Sequence, residues 1–199
     1  MAKMNKNYNE LLEEAKLGKI STNEINYVAQ KLNEKSESNY TLIHILGKAK
    51  AIQYRNLIEP FLNYPDDPLV SKIALQCLCT YWDLTNEFSE ELKIFIRGED
   101  WDDFDDVRLT AIGISGEYLR STSNKDLLHV LVDVFENLET SPLIKRAENP
   151  ELVRSCAYYA IARALGKNYD QIPNTDKIIN QLQRNSLDLS LIEQAKNLL

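Results

Sequence analysis

The amino-acid sequence predicts an all-α protein built from packed pairs of helices. Apolar residues recur at the three- and four-residue spacing of a helix face along almost the whole chain. Glycine and proline number only six each, which is fewer than the frequent turns of a β-sandwich or β-barrel require. Similar segments also recur along the chain, as they do in proteins that stack one helical unit on the next.

The residues before position 64 predict four helices. The first ends near Gly18, because glycine is common just after a helix C-terminus. Ser21 and Glu24, in the stretch STNE, have the spacing of a capping box that begins the second helix. The stretch NEKSESN at 33–39 then interrupts the helical period, and two further helices follow over about 42–47 and 54–63.

Three later segments can be aligned with one another. They are DDPLVSKIALQCL from Asp66, DFDDVRLTAIGIS from Asp103 and ENPELVRSCAYYAIARALG from Glu148. In each, a valine is followed four residues later by alanine, and a basic residue follows the valine; the pairs are Val70 with Ala74, Val107 with Ala111, and Val153 with Ala157. The valines are 37 and 46 residues apart, and a second helix is predicted after each segment, from Ser89, Lys125 and Asp176.

This pattern resembles the HEAT repeat, a helix–turn–helix unit of roughly 40–47 residues that stacks into a solenoid. The resemblance covers about residues 38–186 and is clearest at 149–166, where NPELVR leads to ALG. Ser71 stands where the family prefers arginine, and aspartates replace the proline before Val107. The resemblance implies one domain over 1–199, a short right-handed α-solenoid of stacked antiparallel helix pairs. An N-terminal capping helix pair at 1–37 and a C-terminal capping helix at 187–199 would close its ends.

The negative charge is concentrated in the middle of the chain. Residues 61–140 hold six basic and seventeen acidic residues, a balance of −11, whereas 1–60 and 141–199 each carry +2. A field of this sign repels nucleic acid and anionic membranes and attracts basic proteins. We therefore expect a basic protein partner, and neither nucleic acid nor membrane.

The sequence favours a reducing, cytoplasmic setting. Its only cysteines are Cys77, Cys79 and Cys156, an odd number that suits no disulfide framework. The N-terminal residues show no apolar signal core, and no apolar run approaches the roughly 20 residues that span a bilayer.

The segment GEDWDDFDDVR, residues 98–108, is the most unusual stretch and is called the acidic segment below. It places six acidic residues within eight positions, around Trp101 and Phe104. A solvated helix start, a calcium loop and a protein-docking surface are the three interpretations. Carboxylates stabilise a helix N-terminus, but one or two suffice. An EF-hand loop requires a central glycine, and Phe104 occupies the middle here.

The docking interpretation assigns the acidic residues to attraction of a basic partner and the aromatic residues to anchoring it. The residues predicted to bind the partner are Glu99, Asp100, Trp101, Asp102, Asp103, Phe104 and Asp105, together with Trp82 and Tyr118. In particular, Trp101 is predicted to be the anchor.

The sequence predicts no catalytic residues, no metal and no cofactor. His44 and His129 are the only histidines, and His129 lies off the apolar stripe of its helix. The chain has no Cys/His cluster with zinc spacing, no glycine-rich phosphate loop and no G-x-S-x-G motif.

Size, acidity and HEAT-like repeats together make the chain similar to the immunity proteins of bacterial toxin systems, including those of contact-dependent inhibition. That similarity implies a non-catalytic, acidic protein that binds and neutralises a basic toxin domain. HEAT-like proteins also include DNA glycosylases, chromophore lyases and their accessory factors, and general intracellular scaffolds. A glycosylase needs a basic groove for its polyanionic substrate, which the −11 balance of residues 61–140 argues against.

Overall fold

The computed structural model describes residues 6–34 and 38–199. All regular structure in these ranges is helical, without a strand, which confirms the all-α prediction. Eleven α-helices occur there. They are α1 Tyr8–Lys16, α2 Thr22–Asn33, α3 Asn39–Lys48, α4 Arg55–Ile58, α5 Pro68–Leu75, α6 Ser89–Arg97, α7 Asp106–Leu119, α8 Lys125–Asn137, α9 Pro150–Ala164, α10 Thr175–Gln183 and α11 Ser190–Lys196.

The chain divides into two compact units, Met1–Thr85 and Asn86–Leu199. Each is described by itself. The prediction of one continuous solenoid domain, with capping helices at 1–37 and 187–199, stays a prediction. Residues 1–5 and 35–37 of the N-terminal capping pair, including the centre of NEKSESN, lie outside the described residues.

In the first unit, α3 packs against α1, α2 and α5. The predicted capping box is present, because the Ser21 hydroxyl accepts from the Glu24 amide and the Glu24 carboxylate accepts from the Ser21 amide. Gly18 has a φ of +67°, which explains why glycine ends the first helix. A π-helical segment, Gln76–Tyr81, continues α5 and also packs on α3.

The prediction of one helix over 54–63 is wrong. Ile52–Tyr54 and Glu59–Phe61 form 3₁₀ turns, and only the single turn α4 between them is α-helical. Pro60 lies at the start of the second 3₁₀ turn. A proline has no N–H to donate and clashes with the preceding helical turn, so a regular helix does not continue through it.

In the second unit, α9 packs against α7, α8, α10 and α11, and α6 packs against α7 and α8. The predicted apolar register is correct in both helices that carry it. Val107, Ala111, Val153 and Ala157 are at most 1% exposed. These residues show which faces of α7 and α9 are internal, and the acidic segment leads into the buried face of α7 at Val107.

Candidate functional site

Residues 98–105 of the acidic segment form the turn between α6 and α7, and its last three residues begin α7. Gly98 follows the last residue of α6 with a φ of +92°, and Asp105 precedes α7 in the left-handed conformation, with a φ of 59°. Left-handed backbone is uncommon for a residue other than glycine, although aspartate is among the types that adopt it. The turn therefore begins and ends at residues with special backbone geometry.

Asp102 caps α7 from three residues before its N-cap position. Its Oδ2 atom accepts hydrogen bonds from the backbone amides of Val107, at 3.0 Å, and Arg108, at 2.9 Å. The side chain is buried, and its Oδ1 atom has no hydrogen-bond partner in the protein. Burial raises the pKa of the Asp102 carboxyl, while the two amide hydrogen bonds oppose that change.

Arg108 is 1% exposed and lies at the centre of the turn. Its Nη2 atom donates to the carbonyl oxygens of Arg97 and Lys145, both at 2.9 Å. Its Nη1 atom lies 2.8 Å from Oδ1 of Asp105, but its N–H groups do not point along that line, so this contact is chiefly electrostatic. Burial lowers the pKa of the guanidinium, and the nearby carboxylates oppose that shift. Arginine keeps its charge under such conditions.

Gly98 leaves the space that Arg108 occupies. A Cβ atom at Gly98 would lie 1.4 Å from Nη2 of Arg108. We call Gly98, Asp102, Asp105 and Arg108 the Arg108 cluster. Any residue other than glycine at position 98 would displace the Arg108 guanidinium from its two carbonyl partners.

The Arg108 cluster also holds the segment between α8 and α9. Asp105 Oδ2 accepts from the amide of Glu148 at 2.9 Å, and Lys145 donates its amide to the carbonyl of Arg97 at 2.8 Å. At the surface, Lys145 Nζ forms an ion pair with Asp100 at 2.7 Å. These contacts hold the acidic segment against residues about 40 positions later in the chain. We call it a braced turn, meaning a turn whose backbone is held by contacts to a distant segment.

Three of the predicted partner-binding residues are buried, and the structure corrects the prediction for them. Asp102 and Asp105 are 6% and 5% exposed, because their carboxylates bind amides and Arg108 within the protein. Trp82 is 7% exposed. None of these side chains is available to a partner in this structure.

The remaining predicted residues differ in how much they offer to solvent. Phe104 is 77% exposed, the highest value among the large apolar side chains of the described residues. Asp103 and Asp100 are exposed, and Glu99 is half-buried. Trp101 is also half-buried, because its ring packs edge-on against Phe95 at a centroid distance of 6.3 Å.

Tyr118 lies on α7, away from the turn in sequence. Its side chain is half-buried, and its hydroxyl donates to Oδ1 of Asn86 at 3.0 Å. Part of the ring is exposed, whereas the hydroxyl is oriented by its hydrogen bond within the protein. Tyr118 therefore stays a prediction as a partner-binding residue.

His44 and Cys77 lie in packed surroundings, His44 half-buried and Cys77 buried. His44 stacks on Tyr81 at a centroid distance of 5.9 Å, and burial lowers its pKa. Cys77 is buried and free, and burial raises the pKa of its thiol, which disfavours the reactive thiolate. Across 6–34 and 38–199, no group of three or more His, Cys, Asp or Glu residues could hold a metal ion.

Sequence reasoning missed a second ionic cluster, between α7 and α9. Arg163 is 2% exposed and binds Glu117 through two hydrogen bonds, Nε to Oε1 at 2.6 Å and Nη2 to Oε2 at 2.9 Å. The Tyr169 hydroxyl donates to Oε1 of Glu117 at 2.8 Å. A local signal existed, because Arg163 follows the buried Ile161 and Ala162 within an apolar helix. Its partner is 46 residues away, which local periodicity cannot reveal.

No helix in the described part of the chain is both long and apolar enough to cross a membrane. No family model, no curated protein and no solved structure matches this chain.

Proposed function

We propose that this protein is a protein-binding module whose acidic segment docks a basic protein, with Phe104 as the apolar anchor. The observation that carries the proposal is the 77% exposure of Phe104 on a turn braced by the Arg108 cluster. An exposed phenylalanine has no polar group to desolvate and supplies a large apolar area when a partner covers it. A braced turn loses little conformational freedom when it binds.

Charge supports the choice of a basic partner. Residues 61–140 carry a balance of −11, and Asp100 and Asp103 flank the anchor with exposed carboxylates. Charges at the rim of an interface accelerate encounter with an oppositely charged protein more than they increase affinity. Phe104 thus provides affinity, and the acidic residues provide steering.

The most concrete form of this proposal is an immunity protein that binds and neutralises a basic toxin domain in the cytoplasm. In this form the helices stack as a short right-handed HEAT-like α-solenoid, with α5, α7 and α9 as the first helices of successive pairs. The odd number of cysteines, Cys77, Cys79 and Cys156, suits that compartment. An intracellular scaffold that binds the same basic surface without inhibiting it is the alternative outcome of the test.

The test compares variants that separate the two contributions. The native partner is first isolated, and its association and dissociation rates are measured against wild type, Phe104→Ala and the double variant Asp100→Asn with Asp103→Asn. We expect Phe104→Ala to accelerate dissociation by an amount equivalent to about 2 kcal/mol or more, as for a hot-spot residue. We expect the double variant to slow association and to reduce its salt dependence.

Two variants serve as matched controls. Leu189→Ala removes another exposed apolar side chain, and Asp126→Asn with Glu193→Gln removes two exposed carboxylates elsewhere in the second unit. Both controls should leave the two rates unchanged. If Phe104→Ala binds the partner as wild type does, the acidic segment is only a braced helix start. Inhibition of the partner's activity at a one-to-one ratio would separate an immunity protein from a scaffold.

A further inference from the structure

An open groove lies between α7 and α9, and its lining starts at Leu109, the residue after the acidic segment. It has a volume of about 230 Å³ and is lined by Leu109 and Gly113 on α7, Cys156 and Tyr159 on α9, and Tyr169 after α9. Glu117 and Arg163 lie at one end. We call this feature the α7/α9 groove. Its walls are mainly aromatic and apolar.

Gly113 lines the groove, but no contact within the protein requires a glycine at this position. A Cβ atom at Gly113 would meet nothing within 4 Å, and the residue is exposed in the middle of α7. Glycine at an exposed helix interior destabilises the helix by about 1 kcal/mol relative to alanine. No packing contact within the chain offsets this cost, so the absent side chain keeps the groove open.

Gly116, one turn later on the same helix, provides the contrast. A Cβ atom there would lie 2.7 Å from the Cα of Ala160 on α9. The two helices approach closely at this point, and Gly116 is required for that packing. Gly113, three residues earlier, has no such contact, so close packing of the two helices does not account for it.

The aromatic wall of the groove is held in a fixed position. The Tyr169 hydroxyl binds Glu117, and the guanidinium carbon of Arg163 lies 4.1 Å from the centre of the Tyr169 ring. Tyr159 packs beside Tyr169 at a centroid distance of 6.0 Å. The hydrogen bonds from Arg163 lower the pKa of the Glu117 carboxyl, which keeps the pair ionised at neutral pH. The charges of Glu117 and Arg163 neutralise each other. The apolar wall of the groove therefore favours an apolar ligand.

The size and openness of the groove indicate its occupant. Sites for free small molecules usually enclose about 300–1,000 Å³ and cover most of the ligand. This groove is smaller, and its rim includes Tyr169, which is 63% exposed. A free ring compound would remain partly in water here, whereas a side chain presented by a protein is also held by the contacts around it.

The groove continues the proposed docking surface along one helix. Gly113 follows Asp106, the first residue of α7, by seven residues, or about two turns on the same face and roughly 10 Å along the axis. We propose that the α7/α9 groove receives one aromatic side chain of the basic partner that docks on the acidic segment. This inference rests on the proposed function and adds a second anchor to it.

The first experiment needs no partner. Indole, as a probe of the aromatic side chain, is titrated into ¹⁵N-labelled protein while amide chemical shifts are recorded. We expect saturable shifts at Gly113, Cys156 and Tyr159, and their loss in Gly113→Leu, whose side chain fills the groove. Gln194→Leu adds the same side chain at an exposed position of α11 and should leave the indole shifts unchanged. An absence of saturable shifts in wild type overturns the proposal.

The fold of the variant is checked independently. Because Gly113 has open space around it, Gly113→Ala and Gly113→Leu should both unfold at a urea concentration at least as high as wild type. If Gly113→Leu is destabilised, Gly113→Ala provides the second variant, with a smaller but measurable weakening of indole binding. No change in indole binding for either variant overturns the proposal.

The second experiment uses the isolated partner. We expect Gly113→Leu to raise the Kd of the complex by about 30-fold or more, the equivalent of a hot-spot loss. If indole binds but Gly113→Leu leaves the Kd unchanged, the partner does not enter the groove and the proposal is overturned. If Phe104→Ala has no effect while Gly113→Leu weakens the complex, the acidic segment fails as the anchor and the groove remains the binding site.

Discussion

The starts of α7 and α9 occupy the same position in the repeated pattern but are built differently. α9 begins in the usual way, with Asn149 accepting a hydrogen bond from the amide of Leu152 and Pro150 at the first helical position. α7 has Asp105 at its N-cap position, and that side chain caps nothing. Asp102, three residues earlier, performs the capping instead.

The basic residue that follows the valine of the repeated pattern also differs between α7 and α9. Arg154 on α9 is partly exposed and pairs with Glu139 at the surface. Arg108 on α7 is buried and bonds to the carbonyls of Arg97 and Lys145. One pattern thus yields an ordinary helix start in α9 and a braced, charged turn in α7. The comparison indicates that Asp102 and Asp105 stabilise the turn from within, whereas Asp100 and Asp103 are exposed.

The largest expected effect comes from removing the two arginines in turn. Arg108→Ala leaves Asp102 and Asp105 as buried carboxylates without a compensating charge, which typically costs about 3–5 kcal/mol. Arg154→Ala removes only a surface ion pair, worth about 0–1 kcal/mol. Urea unfolding followed by circular dichroism measures both. Equal losses would show that the two helix starts are equivalent after all.

A smaller, pH-dependent effect is expected at the two capping residues. Burial raises the folded-state pKa of Asp102 above its unfolded value, so the folded protein binds this proton more tightly. The associated stabilisation is fully present below the unfolded pKa and is lost as pH rises through the folded pKa. The difference in unfolding free energy, wild type minus Asp102→Asn, should therefore increase as pH falls from about 7 to about 3.

Asn149→Ala is the matched control for that measurement. It removes the cap of α9 and should cost about 1 kcal/mol. The cost should be nearly independent of pH, because the asparagine amide does not titrate in this range. If the difference in unfolding free energy between wild type and Asp102→Asn instead decreases as pH falls, then Arg108 and the helix amides lower the pKa of Asp102 more than burial raises it.

The smallest effect is expected at the exposed residues of the acidic segment. Phe104→Ala and Asp103→Asn remove side chains that face solvent, so each should change the free energy of unfolding by no more than about 0.5 kcal/mol. Trp101→Ala should cost more, because its ring packs against Phe95. A large loss for Phe104→Ala would place Phe104 in a structural role and remove it as the anchor.

The sequence by itself determined the elements whose cause is local. The capping box of Ser21 and Glu24 depends on atoms three residues apart, and the burial of Val107 and Ala111 follows from a four-residue spacing on one helix face. Such contacts form between neighbours along the chain, so composition and periodicity are enough to predict them. The helix predicted over 54–63 failed for an equally local reason, since Pro60 interrupts it.

Only the tertiary structure decided which acidic residues face inward. Asp102 and Asp103 are adjacent and chemically identical, yet one is buried and the other is exposed. Asp102 accepts from the amides of Val107 and Arg108. The turn that places it there is held by Arg108, which binds the carbonyl of Lys145, and by Asp105, which binds the amide of Glu148, 37 and 43 residues away. The groove at Gly113 likewise depends on Cys156 and Tyr159 of α9, which form its second wall. A charge pattern specifies how many carboxylates are available, but burial is set by polar groups that distant parts of the chain bring to the same place.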